Sequence, residues 1–284
     1  MTEKVDEALA NAKLATRTIQ FLMGIGCGHA VLSPGSRNTP VVLALIDEAA
    51  RGKLVLHTVL DERQAGFLAL GLARESKAPV ILSCTSGTAG AHYFPAVAEA
   101  NQLGLPLVVI TADRPDELQG RGAPQTMDQL ALYGRHVRSH LNLSPDGDTL
   151  DHPSLEHRLQ AWMSFGAGEQ LGPVHLNLRF RKPLWREGQD GQVARDPVSV
   201  PEVHVIAESE ELEGLRQAVS AAHRGVVIAG PRERSASGLA EQAVLRFARE
   251  NQWPIIAEPA CGLVGPELSF GMDAALRDPV WAEG

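Results

Sequence analysis

Along the first 180 residues, stretches in which apolar positions recur about every three or four residues alternate with short, almost continuously apolar runs. The first pattern marks one face of an amphipathic helix; the second, bounded by turn formers, marks a buried strand. Helices are predicted on this basis over 5–23, from 39 onward, and over 62–74, 88–103 and 153–170. Strands are predicted over 30–33, 54–59, 79–84, 106–111 and 174–178. Strands that are apolar on both sides belong in a parallel sheet covered by helices on both faces, so the predicted fold class is α/β.

The periodicity lapses over 181–203 (RKPLWREGQDGQVARDPVSVPEV), which gains Pro, Gly and charge as interdomain linkers do. Alternation resumes with helices predicted at 208–223 and 238–251 and strands at 225–229 and 253–257. The expected organisation is a first α/β domain over 1–180, a linker over 181–203, and the truncated start of a second α/β domain over 204–284. Two βα units are too few to close a doubly wound sheet of ordinary size.

Composition narrows the class of partner. With 44% hydrophobic and 21% charged residues the chain has the make-up of a globular protein, and its net charge of -8 argues against a nucleic-acid partner. Cys27, Cys84 and Cys261 are odd in number and widely spaced, without a CxxC pair, so neither a disulfide framework nor a zinc site is expected and a reducing cytoplasm fits. The amino terminus is charged where a signal peptide is apolar, and no apolar run of about 20 residues offers a membrane span.

GIGCGH (24–29) has the glycines of a dinucleotide loop, but it follows a helix and precedes a strand, so Gly24 and Gly26 read as a helix cap and turn. Four other segments each follow a predicted strand, at the edge where open α/β sheets hold ligands. In SPGSR (33–37), Pro34 and Gly35 make a tight turn, Ser36 is placed to cap the next helix, and Arg37 is placed to grip a carboxylate. A solvated arginine on a capped turn is the plain alternative. In DERQAGFLALGLAR (61–74), Glu62 opens a helix, where an acidic residue is commonly only a cap. CTSGTAGAHYFPAVAEA (84–100) places Thr85, Ser86, Gly87 and Thr88 before a helix of small residues; an anion nest and close packing explain it equally well. TADRPDELQGRGAPQTMDQ (111–129) concentrates Asp113, Arg114, Arg121, Gln125 and Gln129 in one loop, which reads as a substrate wall or, more plainly, a solvated loop. Asp146, Gly147 and Asp148 form an acidic turn in a polar stretch without metal-binding context.

Taken in order and spacing, SPGSRNTP, DER with AGF and ALGLAR, TSGTA, PAVAEA, PLVVITADRP and GAPQTMDQ resemble the amino-terminal half of the 2-succinyl-5-enolpyruvyl-6-hydroxy-3-cyclohexene-1-carboxylate synthases, thiamine-diphosphate enzymes of menaquinone biosynthesis. The resemblance runs from about residue 10 to 185, and 204–284, with GVVIAGP and WPIIAEPACGL, is more loosely similar to the start of that family's central domain. It implies a pyrimidine-binding first domain in which Glu62 is catalytic and bonds N1′ of the cofactor's aminopyrimidine, with Pro34 and Thr85 beside the cofactor. It also implies Ser36, Arg37, Arg114 and Gln125 as partners of the anionic substrates, 2-oxoglutarate and isochorismate. The implied cofactors are thiamine diphosphate and Mg²⁺ or Mn²⁺. The diphosphate and metal site is expected in a carboxyl-terminal domain that this sequence lacks, leaving the chain inactive alone. A homodimer or homotetramer is expected for the complete, cytoplasmic enzyme. Two further readings stay open: another thiamine-diphosphate 2-oxoacid decarboxylase or acetolactate-synthase-like enzyme, and a non-catalytic remnant that serves as a pairing module.

Overall fold

Each central strand of the first unit is built from residues that alternate between two hydrophobic layers. In β1 (His29–Leu32), Ala30 and Leu32 enter one core and Val31 the other; in β3 (Val80–Cys84), Ile81 faces one side and Val80, Leu82 and Cys84 the opposite side; β4 (Leu107–Asp113) repeats the division. A strand with both faces buried has no solvated side, which is why the sequence shows continuous apolar runs there. The computed structural model describes residues 6–145, 155, 157–160, 172–187, 209–230, 239–266 and 268–269, in two units, Met1–Glu202 and Val203–Gly284. Most of the helix predicted over 153–170, most of the stretch 181–203 and the turn of Asp146, Gly147 and Asp148 lie outside the described residues.

The first unit's sheet is wholly parallel, in the order β2-β1-β3-β4-β6-β5, with β2 at Val55–Thr58, β5 at His140–Leu143 and β6 at Val174–Arg179. Helices α1 (Glu7–Gly24) and α2 (Thr39–Ala50) supply one layer through Leu14, Ile19, Leu22, Val41 and Leu45. Helices α3 (Glu62–Ser76) and α4 (Phe94–Leu103) supply the other through Ala65, Ala69, Ala73, Val97 and Ala100. Each large apolar side chain buried in this way contributes about 1.5–3 kcal/mol. Asp6 caps α1 by accepting the Leu9 amide at 3.2 Å, and Gly26 turns the chain out of that helix with φ of 98°, so GIGCGH is a helix exit. The fold class is the α/β arrangement read from the sequence.

Two elements differ from expectation. The helix predicted over 88–103 begins as a 3-10 segment, Gly87–Tyr93, and becomes α-helical at Phe94, where Pro95 in the first turn suits a helix start and cannot continue one. Strand β5, an edge strand with the sequence HLNL, carries too few apolar residues to register as a strand.

The second unit has a parallel three-stranded sheet, β7 (Val227–Ala229), β8 (Ile255–Ala257) and β9 (Leu268–Ser269), with helices α5 (Ser209–Ala221) and α6 (Leu239–Asn251). Its core joins Ala248, Ile255, Ala257, Cys261 and Leu263. Ile228 is 72% exposed, so among the described residues one face of this sheet is uncovered. No described helix is long and apolar enough to cross a membrane.

The outer part of the first sheet departs from the apolar rule. Along β6, Val174, Leu176 and Leu178 enter the hydrophobic core while His175 and Asn177 point the other way, yet both are buried. The Tyr133 ring packs edge-on to His175 at a centroid distance of 4.8 Å. Burial, and then the charge of nearby His140, push the His175 imidazole down to about 3. Its unfolded form takes up a proton below the ordinary value of 6.5, whereas the folded form stays neutral until pH approaches 3. The unfolded chain therefore binds the extra proton in this window: stability is untouched above pH 6.5 and falls as pH drops through it. At about pH 5 the expected loss is about 2 kcal/mol relative to pH 7.5, and His175→Gln should show a flatter decline of its urea midpoint over that range. Parallel declines in the two proteins would assign the acid sensitivity to other groups.

Candidate functional site

The segments singled out in the sequence meet at the carboxyl edge of β1, β3 and β4. After β1, the Asn38 side chain accepts the Gly35 amide at 2.8 Å and donates to the Ser33 carbonyl at 3.1 Å. Asn38, not Ser36, thus occupies the cap position of α2, and its side chain serves the turn and not the helix amides. Ser36 is exposed, as is Pro34, and the Ser36 carbonyl accepts the Thr39 hydroxyl. A Cβ on Gly35 would lie 2.6 Å from Thr85 Cβ, so the close approach of the loops after β1 and β3 needs glycine there. The Arg37 amide donates to Thr85 Oγ1 at 3.2 Å, which latches the two loops.

Arg37 is not a solvated arginine. It is 7% exposed, and its guanidinium donates to the Phe180 carbonyl at 2.7 Å, beyond the end of β6. Burial and then the charge of Arg114 lower its pKa, and Asp113 opposes them. Burial also lowers Arg114, again against Asp113. Two partly desolvated guanidinium groups beside one buried carboxylate form an electropositive corner suited to an anion.

The loop after β4 is fixed to the loop after β3. The Arg114 guanidinium hydrogen-bonds the Ser86 hydroxyl, and Gln125 Nε2 donates to the Ser86 carbonyl at 3.0 Å. Gln125 has φ of 58°, a left-handed conformation uncommon outside glycine, and Gly87 facing it has φ of 79°. A Cβ on Gly87 would meet Gln125 Cγ at 2.8 Å. Gln129, expected in the substrate wall, is instead buried: Oε1 accepts the Gly87 amide at 2.8 Å, while Nε2 donates to the Ala112 carbonyl at 3.2 Å and to Asn177 Oδ1 at 3.0 Å. Asn177 also accepts the Thr111 hydroxyl at 2.8 Å and donates to Asp113 Oδ2 and Asn142 Oδ1. Thr111, having given its proton to Asn177, accepts from His175 Nε2 at 2.8 Å, which sets the imidazole tautomer.

Glu62 enters from the loop after β2, as the first residue of α3. Asp61 is the cap of α3, accepting the Arg63 amide at 2.9 Å, and the Arg63 guanidinium bonds hold the Asp61 carboxyl well below its ordinary range. Glu62 is thereby released from the capping role that the sequence alone allowed it. Among the described residues nothing hydrogen-bonds to its carboxylate, and no ion pair joins it to Arg37 or Arg114. Burial and then the Glu62 charge push the Cys84 thiol up; burial, then Cys84 and more weakly Glu62, push up the Tyr93 phenol. The Tyr93 hydroxyl donates to the Ser83 carbonyl at 2.9 Å and accepts from the Ser33 hydroxyl at 3.2 Å, beneath the turn after β1. Two apolar residues of the same segment are exposed, Leu60 at 79% and Phe67 at 53%, alongside the polar Arg63 and Gln64.

Arg37, Thr85, Arg114 and Gln125 are thus brought together, with Ser36 and Pro34 exposed on the turn that carries Arg37, and Glu62 forms no ion pair with either arginine among the described residues. The sequence reading missed His175 and Asn177; their signal was polar residues alternating with apolar ones in a strand, which ordinarily means a solvated face. The described residues contain no group of three His, Cys, Asp or Glu side chains able to hold a metal ion.

Residues 12–132 match the family described as thiamine pyrophosphate enzyme, N-terminal TPP binding domain. Curated relatives named 2-succinyl-5-enolpyruvyl-6-hydroxy-3-cyclohexene-1-carboxylate synthase are similar over most of this chain. That of Listeria innocua serovar 6a is 39% identical over 267 residues, 92% of this chain and 44% of the relative. The Geobacillus kaustophilus protein is 41% identical over 258 residues, covering 86% and 42%, and the Kineococcus radiotolerans protein 40% over 276 residues, covering 95% and 48%. The chain therefore spans less than half the length of these relatives. The first unit carries the N-terminal TPP binding domain of the thiamine pyrophosphate enzymes, and the chain is similar to the amino-terminal part of the 2-succinyl-5-enolpyruvyl-6-hydroxy-3-cyclohexene-1-carboxylate synthases.

Proposed function

We propose that this chain is the pyrimidine-binding part of a thiamine-diphosphate-dependent transferase of menaquinone biosynthesis, which joins the succinyl semialdehyde unit of decarboxylated 2-oxoglutarate to isochorismate. The observation that carries this reading is Glu62, a carboxylate at the first turn of α3 whose helix is already capped by Asp61 and whose charge is felt by Cys84 and Tyr93. Such a site suits an aminopyrimidine: one acidic group that its own helix does not use, available to a ring nitrogen. When bound, thiamine diphosphate supplies the acidic carbon and the electron sink for decarboxylation and carbon–carbon bond formation. Glu62 would hold the proton at N1′ of the pyrimidine, with Pro34 and Thr85 as neighbours of the ring; the Thr85 hydroxyl already accepts the Arg37 amide and has its own proton to give.

Arg37 and Arg114 face substrates that both carry carboxylates, and Ser36 and Gln125 add hydrogen-bonding groups at the rim. The described residues do not fit a Mg²⁺ or Mn²⁺ site; the metal and diphosphate belong, in this reading, to a part of the synthase outside residues 1–284. The exposed apolar residues Leu60, Phe67 and Leu68 support a complete enzyme in which another domain or subunit of a homodimer or homotetramer covers this surface. A cytoplasmic location accords with three free, buried cysteines.

In a full-length synthase carrying this sequence, Glu62→Gln should lower kcat by at least about 10²-fold with an unchanged melting temperature, because an amide cannot share the N1′ proton. Near-normal turnover removes Glu62 from the chemistry. Arg37→Ala should weaken use of an anionic substrate by about 1.5–3 kcal/mol, and Arg37→Lys should restore only part of that because it lacks the planar fork. Unchanged kinetics with both substrates would make Arg37 a purely structural link to Phe180. The 284-residue chain titrated calorimetrically with thiamine diphosphate and Mg²⁺ should bind only weakly, since the pyrimidine contact alone leaves the doubly charged diphosphate unneutralised. A micromolar Kd would place a metal site within this chain.

A further inference from the structure

We infer that Gln129 and Asn177 are positioning residues for Arg114, acting through a closed ring of hydrogen bonds that joins the loops after β3 and β4; this rests on the function proposed above. The ring runs from the Gly87 amide to Gln129 Oε1 at 2.8 Å, from Gln129 Nε2 to Asn177 Oδ1 at 3.0 Å, and from Asn177 Nδ2 to Asp113 Oδ2 at 3.0 Å. Asp113 Oδ1 then accepts the Arg114 amide at 2.7 Å, and the Arg114 guanidinium closes the ring on the hydroxyl of Ser86, the residue before Gly87. Gln125 is attached to the same Ser86 through its carbonyl.

Three features separate this ring from ordinary core hydrogen bonding. Gln129, Asn177 and Asp113 are each 1% exposed, so water does not replace a bond lost there. Asn177 uses both of its protons and both acceptor positions, on Asp113, Asn142, Thr111 and Gln129, so no other side chain of that size reproduces its bonding. The ring also ends on the one member that is only half-buried, Arg114, whose other guanidinium N–H groups meet no acceptor among the described residues and can take an anion at the sheet edge. Its inner members touch no substrate; they decide where the arginine stands. A long side chain released from such a bond regains rotamer freedom that binding must then remove. The loss should fall on substrate affinity and spare the proton transfer at Glu62, which is no member of the ring.

The test is a double-mutant cycle in a full-length synthase carrying this sequence, with steady-state kinetics and melting temperature for Gln129→Met, Asn177→Asp, Arg114→Ala and each pair with Arg114→Ala. Gln129→Met keeps the side-chain volume and removes both ring bonds; Asn177→Asp keeps the shape and sets a carboxylate against Asp113. Each single variant should raise KM for one anionic substrate by about tenfold with kcat changed little, and should add nothing to KM once Arg114 is alanine. A KM effect that adds in full to that of Arg114→Ala, or an unchanged KM in a folded variant, overturns the inference. If Arg114→Ala itself leaves KM unaltered and Glu62→Gln leaves turnover intact, the proposed function has failed; if those two variants behave as expected and Gln129→Met does not, only the positioning role has. Should both buried variants fail to fold, amide hydrogen exchange on the unaltered protein decides: Gly87 and Arg114 amides should be protected together, and rapid independent exchange of either would break the ring.

Discussion

Burial of both faces of a parallel sheet is the constraint from which the rest of this structure follows. Strands β1, β3 and β4 send alternate residues into two apolar layers, leaving no wet side on which to carry chemistry. Polar function is driven to the strand ends, where backbone groups leave the ladder and loops begin. The loops after β1, β3 and β4 then crowd one another, and the crowding explains glycine at 35 and at 87, where a single Cβ would collide with Thr85 or Gln125. Where the sheet does carry polar side chains inward, at Thr111, His175 and Asn177, each must find its partners among the others, because water does not reach them.

Adjacent residues with the same charge come to opposite ends in α3. Asp61 precedes the first turn with extended backbone, so its short side chain curls onto the free amide of Arg63. Glu62 is the first helical residue, and its longer side chain projects away from the amides toward the end of β3, where its charge is felt by Cys84 and Tyr93. One residue of difference in register separates a structural carboxylate from one that no described residue hydrogen-bonds.

The sequence was most legible where a physical demand is strong and local. The helix starting at Thr39, the turn at Gly24 and Gly26, and the apolar strands β3 and β4 follow from spacing, left-handed glycine and double burial. It was least legible where the demand is distant. The alternation of β6 looks like a half-solvated strand, because nothing in VHLNLR reveals that a loop ending in Tyr133 covers its polar side. Ser36 looked like the helix cap because serine is a common capping residue near a helix start, but the residue directly before α2 is Asn38, whose carbonyl oxygen accepts the Gly35 amide while its NH2 donates to the Ser33 carbonyl. Gln125 and Gln129 are alike in the sequence, four residues apart in a polar loop; only the fold makes one a rim residue in a strained conformation and the other a buried brace.

Helix α3 turns the usual arrangement of side-chain size inside out. Its inward stripe is Ala65, Gly66, Ala69 and Ala73, with Gly66 so close to α4 that a Cβ would lie 2.9 Å from that of Ala96, while Phe67 and Leu68 face away from the unit's own core. Tolerance to mutation is inverted with it. The inner stripe resists gain of volume, since two backbones have no room to part without opening the layer between α3, β3 and α4, whereas the outer residues could be made polar at little cost to this unit's folding. Selection for folding and selection for whatever covers that helix therefore act on opposite sides of the same four turns, and drift on one side is free of the other.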